Sequence, residues 1–209
     1  MLPSSYKPRQ VDDFIGSARR IAAKLDTLLA AATRDGKPLA ILMLGRPGIG
    51  KSALANYLTQ RLGCDRWHTT LLNGTQVKIE EVEEIARSLH FKELFGVYRL
   101  IRVEEVDKVP HVAQVRLLTL LDEMPERTAF VCTSNCQIKE LEERFQSRFL
   151  VLQVAPPTDQ EIASLLRRLA PQVPDATVRQ IATFACGNVR QALLDTDAAM
   201  LNHPELLAA

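Results

Sequence analysis

The sequence is short of everything that marks a chain for a special environment. Its 26 basic and 25 acidic residues leave a net charge of +1. No global field advertises nucleic acid, so a DNA-binding role requires locally placed basic groups or several subunits acting together. No apolar run approaches the length that crosses a bilayer. The opening MLPSSYKPRQ has neither the apolar core nor the small-residue cleavage pattern of a signal peptide, so the chain is expected in the cytoplasm, with no membrane partner. Internal repeats and low-complexity tracts are absent. Cysteine is sparse, at Cys64, Cys132, Cys136 and Cys186, and the pairs lack the usual short zinc-knuckle spacing. A zinc site from Cys64 with His68 and Cys132 with Cys136 can be drawn on paper. Cys132, however, lies in TAFVCTSN, which reads as a buried strand, and reduced, packed thiols are the expectation.

What remains is an ordinary globular composition of 209 residues, 46% hydrophobic and 24% charged, long enough to bury a proper core. Helical and strand-like segments alternate. Ile21, Leu25, Leu28 and Leu29 share a helical face, and Gly36 ends that helix before Pro38. PLAILMLG (38–45) is a continuous apolar run, the mark of a strand covered on both faces. A helix follows through SALANYLTQRL, then WHTTLLN as strand, a helix carrying Val82, Ile85, Ala86 and Leu89, and YRLIRV as strand. VAQVRLLTLLDEM reads as helix, TAFVCTSN and FLVLQV as strands. This succession predicts an α/β fold: an open parallel sheet with helices on both faces.

The character changes after residue 155. APPT supplies two prolines and a Thr158 N-cap with Glu161 at the capping-box position. Three helices without intervening strands follow, the third from about Asn188 to Leu201. The expected organisation is an α/β domain over 1–155 and a small helical domain over 156–209.

Residues 45–52, GRPGIGKS, match G-x-x-x-x-G-K-[ST] in full, between a strand and a helix. Gly45, Gly48 and Gly50 let the backbone turn its N–H groups toward phosphate oxygens. The helix start adds unpaired donors and a positive dipole end. Lys51 supplies charge to terminal phosphates and Ser52 a hydroxyl to magnesium. Pro47, Ile49 and Ala53 complete the stretch expected to touch the nucleotide. No NKxD-type guanine reader is present, which favours ATP with Mg2+.

VEEVD (103–107) ends the YRLIRV strand. Glu104 fits a place in the metal shell and Glu105 the orientation of attacking water, as at the end of a nucleotide-hydrolysing strand. Side chains alternate along a strand, so both serve only if the chain turns out of the sheet there. A solvated acidic edge is the competing reading, and Arg102 puts a charge in a strand that is normally apolar.

With these segments assembled, the chain resembles the AAA+ ATPases, and within them the clamp-loader group, over essentially its whole length. SYKPRQVDDFIG (5–16) is similar to the clamp-loader opening that lies against adenine, which implies nucleotide contacts at Ile15 and Gly16. LLNGT (71–75) and RLLTLLDEMPERTAFVCTSN (116–135) resemble further group segments, the latter ending at Asn135 as sensor 1. FQSRF (145–149) resembles the S-R-C motif, implying that Arg148 is an arginine finger reaching a neighbour's nucleotide. GNVRQAL (187–193) resembles the lid element, implying that Arg190 is the sensor-2 residue. Arg148 and Arg190 also read as surface arginines paired with nearby carboxylates, and Asn135 as a turn cap.

The resemblance implies an ATP-driven switch in DNA replication or repair. Its implied partners are other AAA+ subunits, DNA within an assembly, and a sliding clamp or another replication protein. The sequence departs from the group in its Glu-Glu acidic pair, in Phe149 for the motif cysteine, and in stopping soon after the lid element, with nothing corresponding to a collar domain. A nucleotide-binding subunit that hydrolyses little, or an adapter such as a helicase loader or transposition regulator, are the other readings. The helix bearing His111, Gln114 and Arg116 corresponds to a region that clamp loaders turn toward duplex backbone. Here it is nearly apolar and reads as core-facing.

Overall fold

The computed structural model describes residues 1–89, 97–137 and 143–202. The end of the expected helical domain, 203–209, lies outside the described residues. Five strands, β1 (Leu39–Leu44), β2 (Thr69–Asn73), β3 (Arg99–Glu104), β4 (Thr128–Ser134) and β5 (Leu150–Gln153), form one sheet in the order β2-β3-β4-β1-β5. Every pairing in it is parallel. Between and around the strands run α1 (Leu2–Ser5), α2 (Gly16–Asp35), α3 (Lys51–Arg61), α4 (Ile79–Leu89), α5 (His111–Asp122) and α6 (Glu143–Gln146). Three helices close the described chain: α7 (Asp159–Leu169), α8 (Asp175–Phe184) and α9 (Val189–Asn202).

Alternation within the apolar strands sorts side chains onto two cores. Leu39, Ile41 and Met43 of β1 pack with Leu100, Val131 and the helices α2 and α3. Leu42 and Leu44 point to the other face, with Ile101, Val103, Phe130 and the apolar sides of α4 and α5. Cys64 belongs to the first cluster and Cys132 to the second, so the sheet itself separates these two thiols. α2 ends as its sequence signals, with Gly36 in the left-handed region at φ 67°. Tyr98 fastens that end: its hydroxyl lies 2.8 Å from the carbonyls of both Ala32 and Lys37 and shares its one proton between them.

α7, α8 and α9 surround a third cluster built on Ile162, Leu166, Val178, Ile181, Ala192 and Leu193. The Thr158 capping box forms as expected, with the hydroxyl and the Glu161 carboxylate exchanging bonds across the first turn of α7. Periodicity alone did not predict one feature: Leu2, Tyr6 and Ile15 pack against this helical cluster. The N-terminal segment therefore straps the helices to the sheet. The Leu2 backbone N–H donates to Asp197 at 2.7 Å, and Arg168 donates to the carbonyls of Asp12 and Asp13.

Candidate functional site

The loop 45–50 leaves the C-terminal end of β1 and delivers the chain into the first turn of α3, whose leading N–H groups have no partner within the helix. Glycine is required at Gly48 for two reasons. Its φ is 78°, and a Cβ there would collide with the Asn188 side chain at the start of α9. The Gly48 carbonyl also accepts the Arg190 N–H at 3.1 Å, so the loop and α9 meet backbone to backbone. At Gly45 a Cβ would run into the Val154 carbonyl and Ile49.

Between the loop, the strand ends and α7 and α9 lies a cavity of about 320 Å3. Its floor is Pro47 to Ala53, with Lys51 and Ser52 in the centre. One wall carries Glu104, Glu105, Thr133 and Asn135; the opposite wall carries Leu165, Val189 and Arg190. Tyr6, Pro8, Phe14 and Ile15 cover one end with apolar surface suited to a flat ring. Gly45 and Gly16, both expected at the nucleotide, are not among the lining residues: Gly45 packs against Val154 and Ile49, and Gly16 faces a separate groove beside Glu161 and Pro157.

Lys51 is only 7% exposed. Its ammonium donates to the carbonyls of Gly45 at 2.6 Å and Arg46 at 2.8 Å, and to Asn135 Oδ1 at 2.8 Å. Among the described residues no carboxylate bonds it directly. Burial pushes its pKa down to about 8, assisted by the Arg190 guanidinium and opposed by the charges of Asp107 and Glu105. Asn135 turns its other side-chain atom, Nδ2, to Glu105 Oε1 at 3.2 Å. A single amide thus joins the loop lysine to the carboxylate at the end of β3.

The two glutamates part company as the strand ends. Glu104 is the last residue of β3, and Glu105 adopts φ 54°, a left-handed turn that takes the chain out of the sheet. Glu105 Oε2 accepts from Lys108 Nζ at 2.6 Å. Glu104 Oε1 instead accepts from Arg102, which is 6% exposed and also bonds Asn56 Oδ1. Arg102 is an anomaly by strand pattern alone, and that pattern does not give its partners. Nor does the pattern single out Asp107, whose Oδ1 accepts from Ser134 Oγ at 2.5 Å and so anchors the turn bearing Asn135. Three carboxylates within VEEVDK were the available signal. Asn73, at the end of β2, and Asn188 were likewise not singled out.

Arg148 lies away from the cavity. Its guanidinium makes a forked pair with Asp122, Nε to Oδ1 and Nη2 to Oδ2 at 2.7 Å each, and donates to the Arg144 carbonyl at 2.6 Å. On α5, Val112 and Val115 are 65% and 50% exposed, while Ala113, Leu117, Leu120 and Leu121 are buried, so only one side of this apolar helix faces the core.

The loop, its helix start and the apolar cover fit a nucleotide. For a divalent ion, Ser52 offers a hydroxyl next to the phosphate loop, whereas Glu104 is held by Arg102. No helix among the described residues is long and apolar enough to cross a membrane.

Residues 6–116, more than half of the chain, match the family of the Holliday junction DNA helicase RuvB P-loop domain. The replication factor C small subunit 2 of Pyrobaculum arsenaticum is 25% identical over 199 residues, 90% of this chain and 59% of that protein. DNA polymerase III subunit gamma of Buchnera aphidicola is 22% identical, over 92% of this chain and 59% of that one. The chain thus spans about three fifths of the length of these relatives. Among solved structures, Thermotoga maritima RuvB, the Holliday junction branch migration motor, superposes with a TM-score of 0.76 at 23% identity, over 96% of this chain and 67% of that one, a likeness of fold. A parallel sheet with its glycine-rich loop at the end of β1, together with the matched residues, makes this chain a member of the RuvB P-loop domain family within the AAA+ ATPases, with clamp-loader subunits among its homologues.

Proposed function

We propose that the chain binds ATP in the cavity between the glycine-rich loop and α9, and hydrolyses it as a clamp-loader-type switch in DNA replication or repair. The observation that carries this reading is the contact line Lys51–Asn135–Glu105, which joins a phosphate-binding lysine to a candidate base across three strand ends. A γ-phosphate arriving at the loop competes with the Gly45 and Arg46 carbonyls and Asn135 for the ammonium. Asn135 released from Lys51 is placed to sense that phosphate, while Glu105 orients water for in-line attack. Ser52, with phosphate oxygens and waters, would hold Mg2+, which when bound supplies charge neutralisation between the phosphates.

Residues 156–209 act in this reading as a lid. Arg190 reports nucleotide through α9, and the bond from its N–H to the Gly48 carbonyl ties lid angle to the loop. Arg148 completes a neighbour's site, because a planar cation stabilises charge on the transferred phosphoryl group. Other AAA+ subunits, a clamp or comparable replication protein, and DNA within the assembly are the partners. ATP turnover per molecule, measured against protein concentration with and without primed DNA, tests the reading. A steep rise with concentration, abolished in Lys51→Ala, is expected; a Lys51→Ala variant with undiminished turnover would remove it.

A second reading, a nucleotide-binding subunit with slow hydrolysis, has its own support. Lys108 and Asn135 together occupy both oxygens of Glu105. Tight ATP binding without phosphate release, even with DNA and partners present, would favour it.

A further inference from the structure

β2 is a terminal strand of the sheet, paired with β3 on one side. The His68 carbonyl accepts from the Leu100 N–H, and the Gly74 N–H donates to the Glu104 carbonyl. Even-numbered positions along β2 therefore turn their backbone groups to β3, and Thr69 and Leu71 turn theirs outward. Among the described residues nothing pairs with that outer side. The side chains of Thr69 and Leu71 lie on the sheet face that carries α3, in a groove of about 480 Å3 between that helix and the strand. Leu71 is 62% exposed, and Trp67, just before β2, is 78% exposed.

This groove has more donors than acceptors. Of the three buried side-chain polar atoms without a hydrogen-bond partner among the described residues, Thr69 Oγ1 and Arg102 Nε both belong to its lining. A buried donor left unpaired costs free energy, which an oxygen brought to the groove recovers. The Arg102 charge is met by Glu104, so Arg102 offers a donor here and no net charge. Net charge comes from two other lining residues, Lys7 and Arg66. Both are exposed, and among the described residues neither has an ion-pair partner; Arg66 lies over the Trp67 ring at 4.5 Å. The acid in the lining, Asp65, is already committed: its Oδ1 accepts from the Trp67 N–H at 2.8 Å and lies 2.7 Å from His68 Nδ1.

Each feature selects part of a partner. Outward backbone groups on a terminal strand accept an extended chain as a further strand. Unpaired cations select carboxylates, which alternate positions of such a chain would carry onto the α3 face. Leu71 and Trp67 select an apolar residue beside them. A nucleic acid strand would satisfy the cations but leave the backbone edge unpaired.

We propose that the outer edge of β2 docks an extended acidic segment of a partner protein, its carboxylates toward Lys7 and Arg66 and an apolar residue against Leu71 and Trp67. The proposal is independent of the ATP reading, because none of these four residues lines the nucleotide cavity.

The test uses the whole chain and a fluorescein-labelled peptide that alternates aspartate and threonine around a single leucine, followed by anisotropy. The wild type should bind it, more weakly as salt rises, and should not bind the counterpart with lysine for aspartate. Reversing both charges in Lys7→Glu/Arg66→Glu should weaken binding at least about tenfold. Leu71→Pro removes an outward N–H while sparing the bonds to β3, and should abolish binding. Leu71→Asp covers the case in which the proline variant fails to fold, and should also weaken binding. Hydrogen exchange supplies a readout that charge attraction alone does not move: the Leu71 amide should exchange more slowly with peptide bound. A wild type that does not bind the acidic peptide, equal binding of the lysine peptide, or affinity unmoved in the variants would overturn the proposal. So would a Leu71 amide that exchanges at the same rate in the complex. Oligothymidylate that binds more tightly than the peptide, and is lost in Lys7→Glu/Arg66→Glu, would make the edge a nucleic-acid surface and reject the protein partner.

Discussion

Arg148 and Asp122 form a two-pronged ion pair that ties the turn before β5 to the end of α5. The fork presents the guanidinium in a fixed orientation on an accessible surface, and Arg148 holds the Asp122 carboxyl below the usual carboxylate range. Exposed pairs add little to stability, so the arrangement matters chiefly for where the cation points. Arg148→Ala should leave thermal unfolding close to the wild type yet cut assembled ATP turnover by roughly a thousandfold, the scale of a supplied arginine. Mixing Arg148→Ala with Lys51→Ala protein checks the trans placement: each variant supplies what the other lacks, and turnover should partly recover. No recovery in the mixture argues for a purely local role.

Lys51 makes ATP binding pH-dependent. Burial lowers its pKa to about 8 in the free chain, and a bound triphosphate favours the charged form and raises it again. Binding at a pH near 8 must therefore take up protons. Uptake should be slight at pH 7, grow through pH 8 to 9, and be accompanied by weakening affinity. Calorimetry in buffers of different ionisation enthalpy measures it, and proton release over that range would contradict the assignment. The unliganded fold behaves in the complementary way. Lys51 is depressed below its unfolded value, so the penalty for burying its charge is present at neutral pH and fades as pH rises from 8 toward the unfolded pKa.

Lys108 restrains Glu105 through the 2.6 Å bond to Oε2. Lys108→Ala should raise turnover at saturating ATP several-fold with little change in ATP affinity, because the carboxylate becomes free to orient water. Steady-state kinetics separates the two effects. Unchanged kcat would show that Glu105 leaves Lys108 without cost whenever nucleotide binds.

Gly48 combines a left-handed backbone with close approach to Asn188. Gly48→Ala should cost about 1–2 kcal/mol from backbone strain alone, with a further loss from displacing α9. Urea unfolding of Gly48→Ala beside the Gly48→Ala/Asn188→Gly double variant separates these. If the second substitution restores nothing, the collision is not transmitted to α9.

Tyr98→Phe removes the hydroxyl that bridges Ala32 and Lys37 at the end of α2. The expected loss is about 1 kcal/mol, one buried hydrogen bond, with ATP binding unaffected. The urea midpoint reports it, and an unchanged midpoint would mean that the Gly36 turn holds itself.

The alternation of strands and helices was legible because each element's burial is written in its own period: β1 is apolar throughout and is covered on both faces. The phosphate loop was legible because its conformation depends on contiguous residues. The pairing of Lys51 with Asn135, the capture of Glu104 by Arg102 and the strapping of α9 by Leu2 were not, since each joins elements distant along the chain.

The sequence by itself determined the succession of strands and helices that builds the parallel sheet, and the glycine-rich bend, both set by local backbone preference and periodicity. The turn of the chain out of β3 at Glu105, whose φ is 54°, it left open. Only the tertiary structure decided which charges meet in the site: that Glu104 faces an arginine, that Glu105 is shared by Lys108 and Asn135, and that Arg148 is forked to Asp122. The physical reason is that periodicity specifies which face of an element is buried, while electrostatics depends on which two faces are brought within a few ångströms of each other.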